Sequence, residues 1–242
     1  MNYYYITGAS SGLGKAFAEY LLSESSENFV YGISRHCTIL HANYKHIEID
    51  LNDLTKVEEF EFQEHLEAKK IALINNAGAI GLIKPVGKLS SESIIRSYHV
   101  NLISPVLLTN KFINQYQNSK NHKLIVNVSS GAGKNPVAGW STYCSSKAAL
   151  DMFSRVVDEE QKSASDKINI FSIAPGVVDT NMQQEIRNAS QEDFPHRDDF
   201  INYKKHNKLT KPAEVAENYF NILNDMKMGD QVVFSVKDFD KV

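Results

Sequence analysis

Short apolar runs take turns with amphipathic stretches along most of the chain. Seven runs read as β-strands: 3–7, 29–34, 45–50, 71–75, 123–129, 168–174 and 231–234. They are mostly apolar rather than alternating, the pattern of strands covered by helices on both sheet faces. Between them, helices are predicted at about 12–25, 54–68, 91–98, 103–117, 142–163 and 212–226. This order predicts an α/β fold built on a doubly wound, seven-stranded parallel sheet. The stretch from about 183 to 211 breaks the pattern. It is polar and weakly periodic, which suits either a mobile lid or an irregular surface segment. No internal repeat or low-complexity linker divides the chain.

Composition adds mainly exclusions. A length of 242 residues suits one α/β domain spanning 1–242. A formal net charge of -3 supplies no basic field to hold nucleic acid. No apolar run reaches the roughly 18–20 residues of a membrane-spanning helix. The opening Met1-Asn2-Tyr3-Tyr4-Tyr5-Ile6-Thr7 lacks the basic-then-apolar order of a signal peptide. Cys37 and Cys144 are too few for a disulfide framework or a zinc site, and the eight histidines show no metal-ligand spacing. These absences predict a cytoplasmic protein without a metal, with neither nucleic acid nor membrane as partner.

One turn carries chemistry. The first strand runs into Thr7-Gly8-Ala9-Ser10-Ser11-Gly12-Leu13-Gly14, directly before the first helix. Glycines there let the backbone approach a pyrophosphate, and the helix N-terminus behind them offers free N–H groups and a favourable dipole. The spacing G-x-x-x-G-x-G differs from the general dinucleotide fingerprint G-x-G-x-x-G. A tight glycine turn with no ligand is the plain structural alternative.

The chain resembles the classical short-chain dehydrogenases/reductases, and four elements in that family's order carry the resemblance. They are the turn at 7–14, Asn75-Asn76-Ala77-Gly78, Ser129-Ser130, and Tyr143-Cys144-Ser145-Ser146-Lys147; Pro175-Gly176 follows in its usual place. The resemblance implies a Rossmann-type fold. Within the family, the stretches Gly131-Ala132-Gly133-Lys134-Asn135-Pro136, Gly139-Trp140-Ser141-Thr142 before Tyr143, and Pro175 to Gln183 are similar to bacterial (S)-benzoin-forming benzil reductases and to sepiapterin reductases. Sepiapterin reductases carry an aspartate near the C-terminus that anchors the pterin. That position falls near Val236 here, and Asp238 reaches it only with a register shift. An aromatic or hydrophobic diketone is therefore favoured over a pterin.

Ketone reduction needs a hydride donor, a proton donor and a group that polarises the carbonyl; a nicotinamide supplies the hydride. Tyr143 and Lys147 share a helical face, and a cationic lysine is expected to lower the tyrosine pKa from about 10 toward working pH. Ser130, at a strand end 13 residues before Tyr143, is expected to hydrogen-bond the carbonyl oxygen, with Ser129 as its rival. By resemblance, Asn101 bends its helix and connects Lys147 to solvent through a water. The alternative is a polar helix residue bonded to its own backbone.

The second strand ends in Ser34-Arg35-His36 without a carboxylate. A carboxylate there would pair with the ribose hydroxyls, whereas Arg35 can clasp a 2′-phosphate and Ser34 can donate to it. NADP(H) is therefore the expected cofactor. Gly8, Ser10, Ser11, Gly12, Leu13 and Gly14 would hold its phosphates. By resemblance Asp50 and Leu51 lie against the adenine, and Asn75, Asn76, Ala77 and Gly78 line the cleft, in a segment that also braces the central sheet. Tyr143, Lys147, Pro175, Gly176, Val178 and Thr180 lie toward the nicotinamide. Substrate would meet Ser130, Trp140, Tyr143 and Met182, with Cys144 and Val177 as further wall candidates and Trp140 equally open to a plain core role.

The expected function is NADPH-dependent reduction of a small-molecule ketone or benzil-like diketone. The alternatives are a pterin carbonyl reductase, a non-catalytic NADP-binding sensor, or an enzyme working mainly in the oxidative direction. The intact set Asn101, Ser130, Tyr143 and Lys147 argues against a sensor. Family members pair through the helices at about 103–117 and 142–163, so a homodimer is expected.

Overall fold

The computed structural model describes residues 1–225 and 231–239. Seven strands form one parallel sheet: β1 (Asn2–Thr7), β2 (Asn28–Ser34), β3 (Tyr44–Glu48), β4 (Lys70–Asn75), β5 (His122–Val128), β6 (Ile168–Ala174) and β7 (Val233–Ser235). Their spatial order is β3-β2-β1-β4-β5-β6-β7. The order reverses between β1 and β4, and the carboxyl ends there open the crevice in which doubly wound sheets bind ligands. All seven predicted strands are present, within about two residues at each end.

The helices are α1 (Gly12–Glu24), α2 (Leu54–Glu59), α3 (Ser91–Tyr98), α4 (Ser104–Tyr116), α5 (Ser141–Gln161), α6 (Asn181–Arg187), α7 (Arg197–Lys205) and α8 (Pro212–Asp225). Successive strand residues feed opposite cores. Tyr4 and Ile6 of β1 join Phe17 of α1 and Tyr219 of α8 on one face. Tyr5 joins Val57, Leu108, Phe112 and Val157 on the other. Both faces are thus covered, which is why the strands read as continuous apolar runs.

Two helix expectations need correction. The predicted helix 54–68 ends at Glu59, because Phe60 turns extended (φ -67, ψ 129). From there Phe60 and Phe62 are buried while Glu61 and Gln63 face solvent, a period of two rather than 3.6. Tyr5 makes edge contacts with both rings, and Tyr116 donates to the Gln63 carbonyl at 2.6 Å. Aromatic pairs contribute about 0.5–1.5 kcal/mol each beyond their burial. Continuing the helix would gain only tenths of a kcal/mol per residue in propensity. The second correction concerns 183–211, which is not an irregular segment: it holds most of α6 and all of α7. Its start and end are tied together, since Thr210 donates to Val177 and Asp179 donates to Thr210. Met226, the last residue of the predicted final helix, lies outside the described residues.

A π-helical turn (His99–Ile103) joins α3 to α4. A wide turn inside a helix places a side chain that a regular helix would not, and here the buried residue is Asn101. A buried polar brace holds the sheet centre: Asn75 donates to Asn127 (2.9 Å) and Thr109 (3.2 Å), and Asn127 donates to Ser154 (2.9 Å). Asn75 therefore braces β4, β5 and α4, as the resemblance implies for its segment, but does not line the cleft.

Candidate active site

A cleft of about 1120 Å³ runs across the carboxyl ends of the strands. Its first part is the turn between β1 and α1. Ser11 caps α1 with its backbone only, its side chain making no capping bond, so the first N–H groups of α1 face the cleft without a side-chain acceptor. Gly12 adopts φ +54, a left-handed conformation suited to glycine, and faces the Thr180 methyl group. A Cβ on Gly14 would overlap the Gly8 carbonyl and the Asn76 amide, so Gly14 packs behind the cleft rather than lining it. Asn76 fixes this loop by donating from its side chain to the Thr7 carbonyl at 2.9 Å.

Gly8, Ser10, Ser11, Gly12, Leu13, Ser34, Arg35, Asp50, Leu51, Asn76, Ala77 and Gly78 line this end of the cleft. Arg35 is exposed and makes no ion pair among the described residues. Ser34 departs from expectation: its hydroxyl donates to the His36 carbonyl at 2.9 Å. That leaves Arg35 as the group at the strand tip free to meet a phosphate. An uncapped helix start, a close glycine turn and a free guanidinium fit a dinucleotide phosphate chain.

The other end is built on the first two turns of α5. Tyr143 and Lys147 are both buried there. The Lys147 ammonium donates to the Val128 carbonyl at 2.8 Å and lies 5.8 Å from the centre of the Tyr143 ring. Burial lowers the Lys147 pKa to about 8, partly opposed by the negative charge of Asp151. Burial raises the Tyr143 pKa above its ordinary value, and the adjacent Ser130 hydroxyl works against that rise. Lys147, expected to lower it, is not among the groups that shift Tyr143, whose pKa is set first by burial.

Both candidate serines border the cleft, but their hydroxyls differ: Ser129 donates to the Asp151 carboxylate at 2.6 Å, whereas Ser130 accepts from the Ala132 N–H at 3.2 Å and lies beside Tyr143. Asn101 does not line the cleft. It is fully buried behind it, donating to the Ala79 carbonyl and accepting from the Ala79 N–H, both at 2.8 Å. These bonds hold the loop after Gly78 against Lys147.

Trp140, Met182, Ile80, Ile186 and Phe200 wall the cleft beyond Tyr143, with Pro175, Gly176, Val177, Val178 and Thr180 along its floor. The Trp140 indole stacks on Phe194 (centroids 5.3 Å apart) and meets Tyr143 edge-on at 5.8 Å. Cys144 packs against this cluster but does not line the cleft. Trp140 Nε1 and Gln183 Oε1 are buried on cleft-lining residues without a hydrogen-bond partner. Sequence reading missed Phe194, Phe200, Gln183 and Asp151. The two phenylalanines sit in a polar stretch with no periodicity to flag them, while Asp151 follows Lys147 by one helical turn and was legible as sharing its face.

No cluster of candidate metal ligands occurs among the described residues, and no described helix is long and apolar enough to cross a membrane.

Comparison with known proteins matches residues 2–191 to the family described as short chain dehydrogenase. The benzil reductase ((S)-benzoin forming) of Bacillus cereus is 41% identical over 237 residues, covering 92% of this chain and 94% of that protein. The sepiapterin reductase of Rattus norvegicus is 33% identical over 210 residues, covering 77% and 78%. Among solved structures, a short chain dehydrogenase/reductase of Saccharomyces cerevisiae superposes with a TM-score of 0.85 at 24% identity, covering 98% of this chain and 97% of that one.

Proposed function

This chain belongs to the short-chain dehydrogenase family of nicotinamide-dependent oxidoreductases, and from that premise we propose that it is an NADPH-dependent reductase of a ketone or benzil-like diketone. The observation that carries this reading is the juxtaposition of Tyr143, Ser130 and Lys147 between a phosphate-fitting turn and an aromatic wall. When bound, the nicotinamide supplies the hydride. Ser130 holds the carbonyl oxygen and Tyr143 donates the proton to it as negative charge develops there. Burial suits this direction, since a raised pKa keeps the Tyr143 proton in place until the oxygen needs it. Lys147, cationic below about pH 8, sets the field around that proton. Asn101 keeps the Gly78 loop closed over the lysine.

Arg35 supports NADPH over NADH, because the strand tip presents a cation and no carboxylate. For the substrate, the wall of Trp140, Met182 and Phe200 favours an aromatic body. The unpartnered Trp140 Nε1 and Gln183 Oε1 favour one that carries a second polar group. For a pterin, the buried Val236 offers no carboxylate, whereas Asp238 borders the cleft with one oxygen taken up by the Ser235 N–H at 2.8 Å. The relatives named benzil reductase support the same choice. We further assign the whole chain to one domain and its active form to a homodimer. Met152 and Val156 remain exposed on the outer face of α5, in support of that pairing. Two free cysteines, one of them exposed, suit a cytoplasmic setting.

The test is oxidation of NADPH, followed by its absorbance, with benzil and with sepiapterin, against NADH controls. Turnover of benzil alone is expected. Turnover of sepiapterin alone would move the reading to pterins, and faster turnover with NADH would overturn the role given to Arg35.

A further inference from the structure

Asp151 is a buried carboxylate for which the chemistry above has no use. It follows Lys147 by one turn of α5, is 4% exposed, and borders the cleft. One of its oxygens accepts two hydroxyl protons, from Ser129 at 2.6 Å and from Ser172 at 2.7 Å. Both serines are themselves buried. Two short bonds donated to one oxygen are the arrangement of a charged acceptor. A buried charge persists only with such donors and a counter-charge.

Lys147 supplies a counter-charge one helical turn away, acting through space and not through an ion pair. Lys147 grips the Val128 carbonyl, and Asp151 grips the hydroxyl of the next residue, Ser129. Lysine and aspartate thus clamp one dipeptide at the end of β5 from the same helix face. The residue after that dipeptide is Ser130. Ser172 carries the clamp across to β6.

We propose that Asp151 is a positioning residue that holds Lys147 cationic and fixes the strand end presenting Ser130. This rests on the reductase reading above. Burial alone disfavours charge on Lys147, and Asp151 is the group acting in the opposite direction. The other carboxylates bordering the cleft, Asp50, Glu185 and Asp238, are not among the groups acting on Lys147, and its remaining titratable neighbours do not substitute for Asp151. Burial raises the pKa of Tyr143 on α5 and of Tyr219 on α8, so neither supplies a negative charge. Arg96 on α3 and Lys134, both bordering the cleft, carry the same sign as Lys147. Asn101 of the π-helical turn and the Val128 carbonyl carry no charge.

The experiment compares wild type with Asp151→Asn, an amide of the same shape that keeps an acceptor for both serines but no charge. The pH profile of kcat/KM is measured with NADPH and benzil from about pH 6 to pH 10. The alkaline limb is expected to move down by about one pH unit, a loss of roughly tenfold near pH 8.5, with activity near pH 6.5 within about threefold. Asp151→Glu, which restores the charge, is expected to return the limb toward wild type. An unmoved limb in a folded Asp151→Asn protein would overturn the assignment, as would Glu behaving like Asn. If the amide does not fold, Asp151→Ser keeps a hydroxyl in the cluster without charge and runs the same comparison.

Absence of wild-type turnover with benzil would count against the reductase reading and leave Asp151 open to a binding readout. NADPH affinity, followed by its fluorescence, is then expected to weaken above about pH 8 in Asp151→Asn more than in wild type. Parallel affinity profiles would overturn the assignment there too.

Discussion

Tyr143 and phenylalanine differ by one hydroxyl, and in a buried site that atom separates chemistry from shape. The ring packs edge-on to Trp140, and phenylalanine keeps this contact. Tyr143→Phe is therefore expected to cut kcat by at least about a thousandfold, the range lost with an essential proton donor together with its hydrogen bond. NADPH affinity should change less than about threefold, and stability by less than about 1 kcal/mol. Stopped-flow or steady-state kinetics beside a fluorescence titration checks both halves. Retained turnover would remove Tyr143 as the acid. At this scale the sequence was informative about placement: Tyr143 and Lys147 are buried on one helix face at the cleft, and Arg35 borders it. It was less informative about where a hydroxyl points. Ser34 lies at the strand tip as read, but its proton goes to the His36 carbonyl, a local bond that no motif records.

Among elements, the segment 60–69 shows what periodicity misses. Helix-forming Glu, Gln, His and Leu suggested that α2 runs on, but the rings of Phe60 and Phe62 belong to the cluster around Tyr5 and Tyr116. His65 completes that cluster, stacked on Tyr3 at 3.7 Å and hydrogen-bonded to the Tyr5 hydroxyl at 2.9 Å. Burial lowers its pKa to about 4. The folded pKa lies below the unfolded value of about 6.5, so the folded state resists taking up a proton that the unfolded chain accepts. The His65 contribution is thus complete above about pH 6.5 and lost as pH falls toward 4. His65→Gln is expected to melt below wild type at neutral pH, with the gap closing across that window. Melting curves taken from pH 7 to pH 4 decide it, and a gap that stays constant would mean that His65 titrates normally. The strands were legible because burial on both faces makes them uniformly apolar. The helices α6 and α7 were not, because their anchors, Phe194 above all, lie singly among charged residues.

On the scale of the molecule, the cleft draws its walls from the ends of most of the strands and from α1, α3, α5 and α6, so a ligand in it touches many elements at once. A ligand that binds only the folded state stabilises all of it by mass action, about 2.7 kcal/mol at a hundredfold excess over Kd. For a chain of this length that amounts to roughly 5–10 °C in Tm. NADPH is expected to give such a shift without any carbonyl substrate, and NADH at equal concentration a smaller one. The difference measures the 2′-phosphate alone, since the two cofactors are otherwise identical. Arg35 is exposed and free of ion pairs among the described residues, so replacing it leaves the core untouched. Arg35→Glu should keep the ligand-free Tm within about 1–2 °C. It should also reverse the order of the two shifts, because a carboxylate accepts from ribose hydroxyls and repels a phosphate. Equal shifts with both cofactors in the wild type would mean that the phosphate is not read at the β2 tip. A preference for NADPH that survives Arg35→Glu would place its reader elsewhere along the cleft.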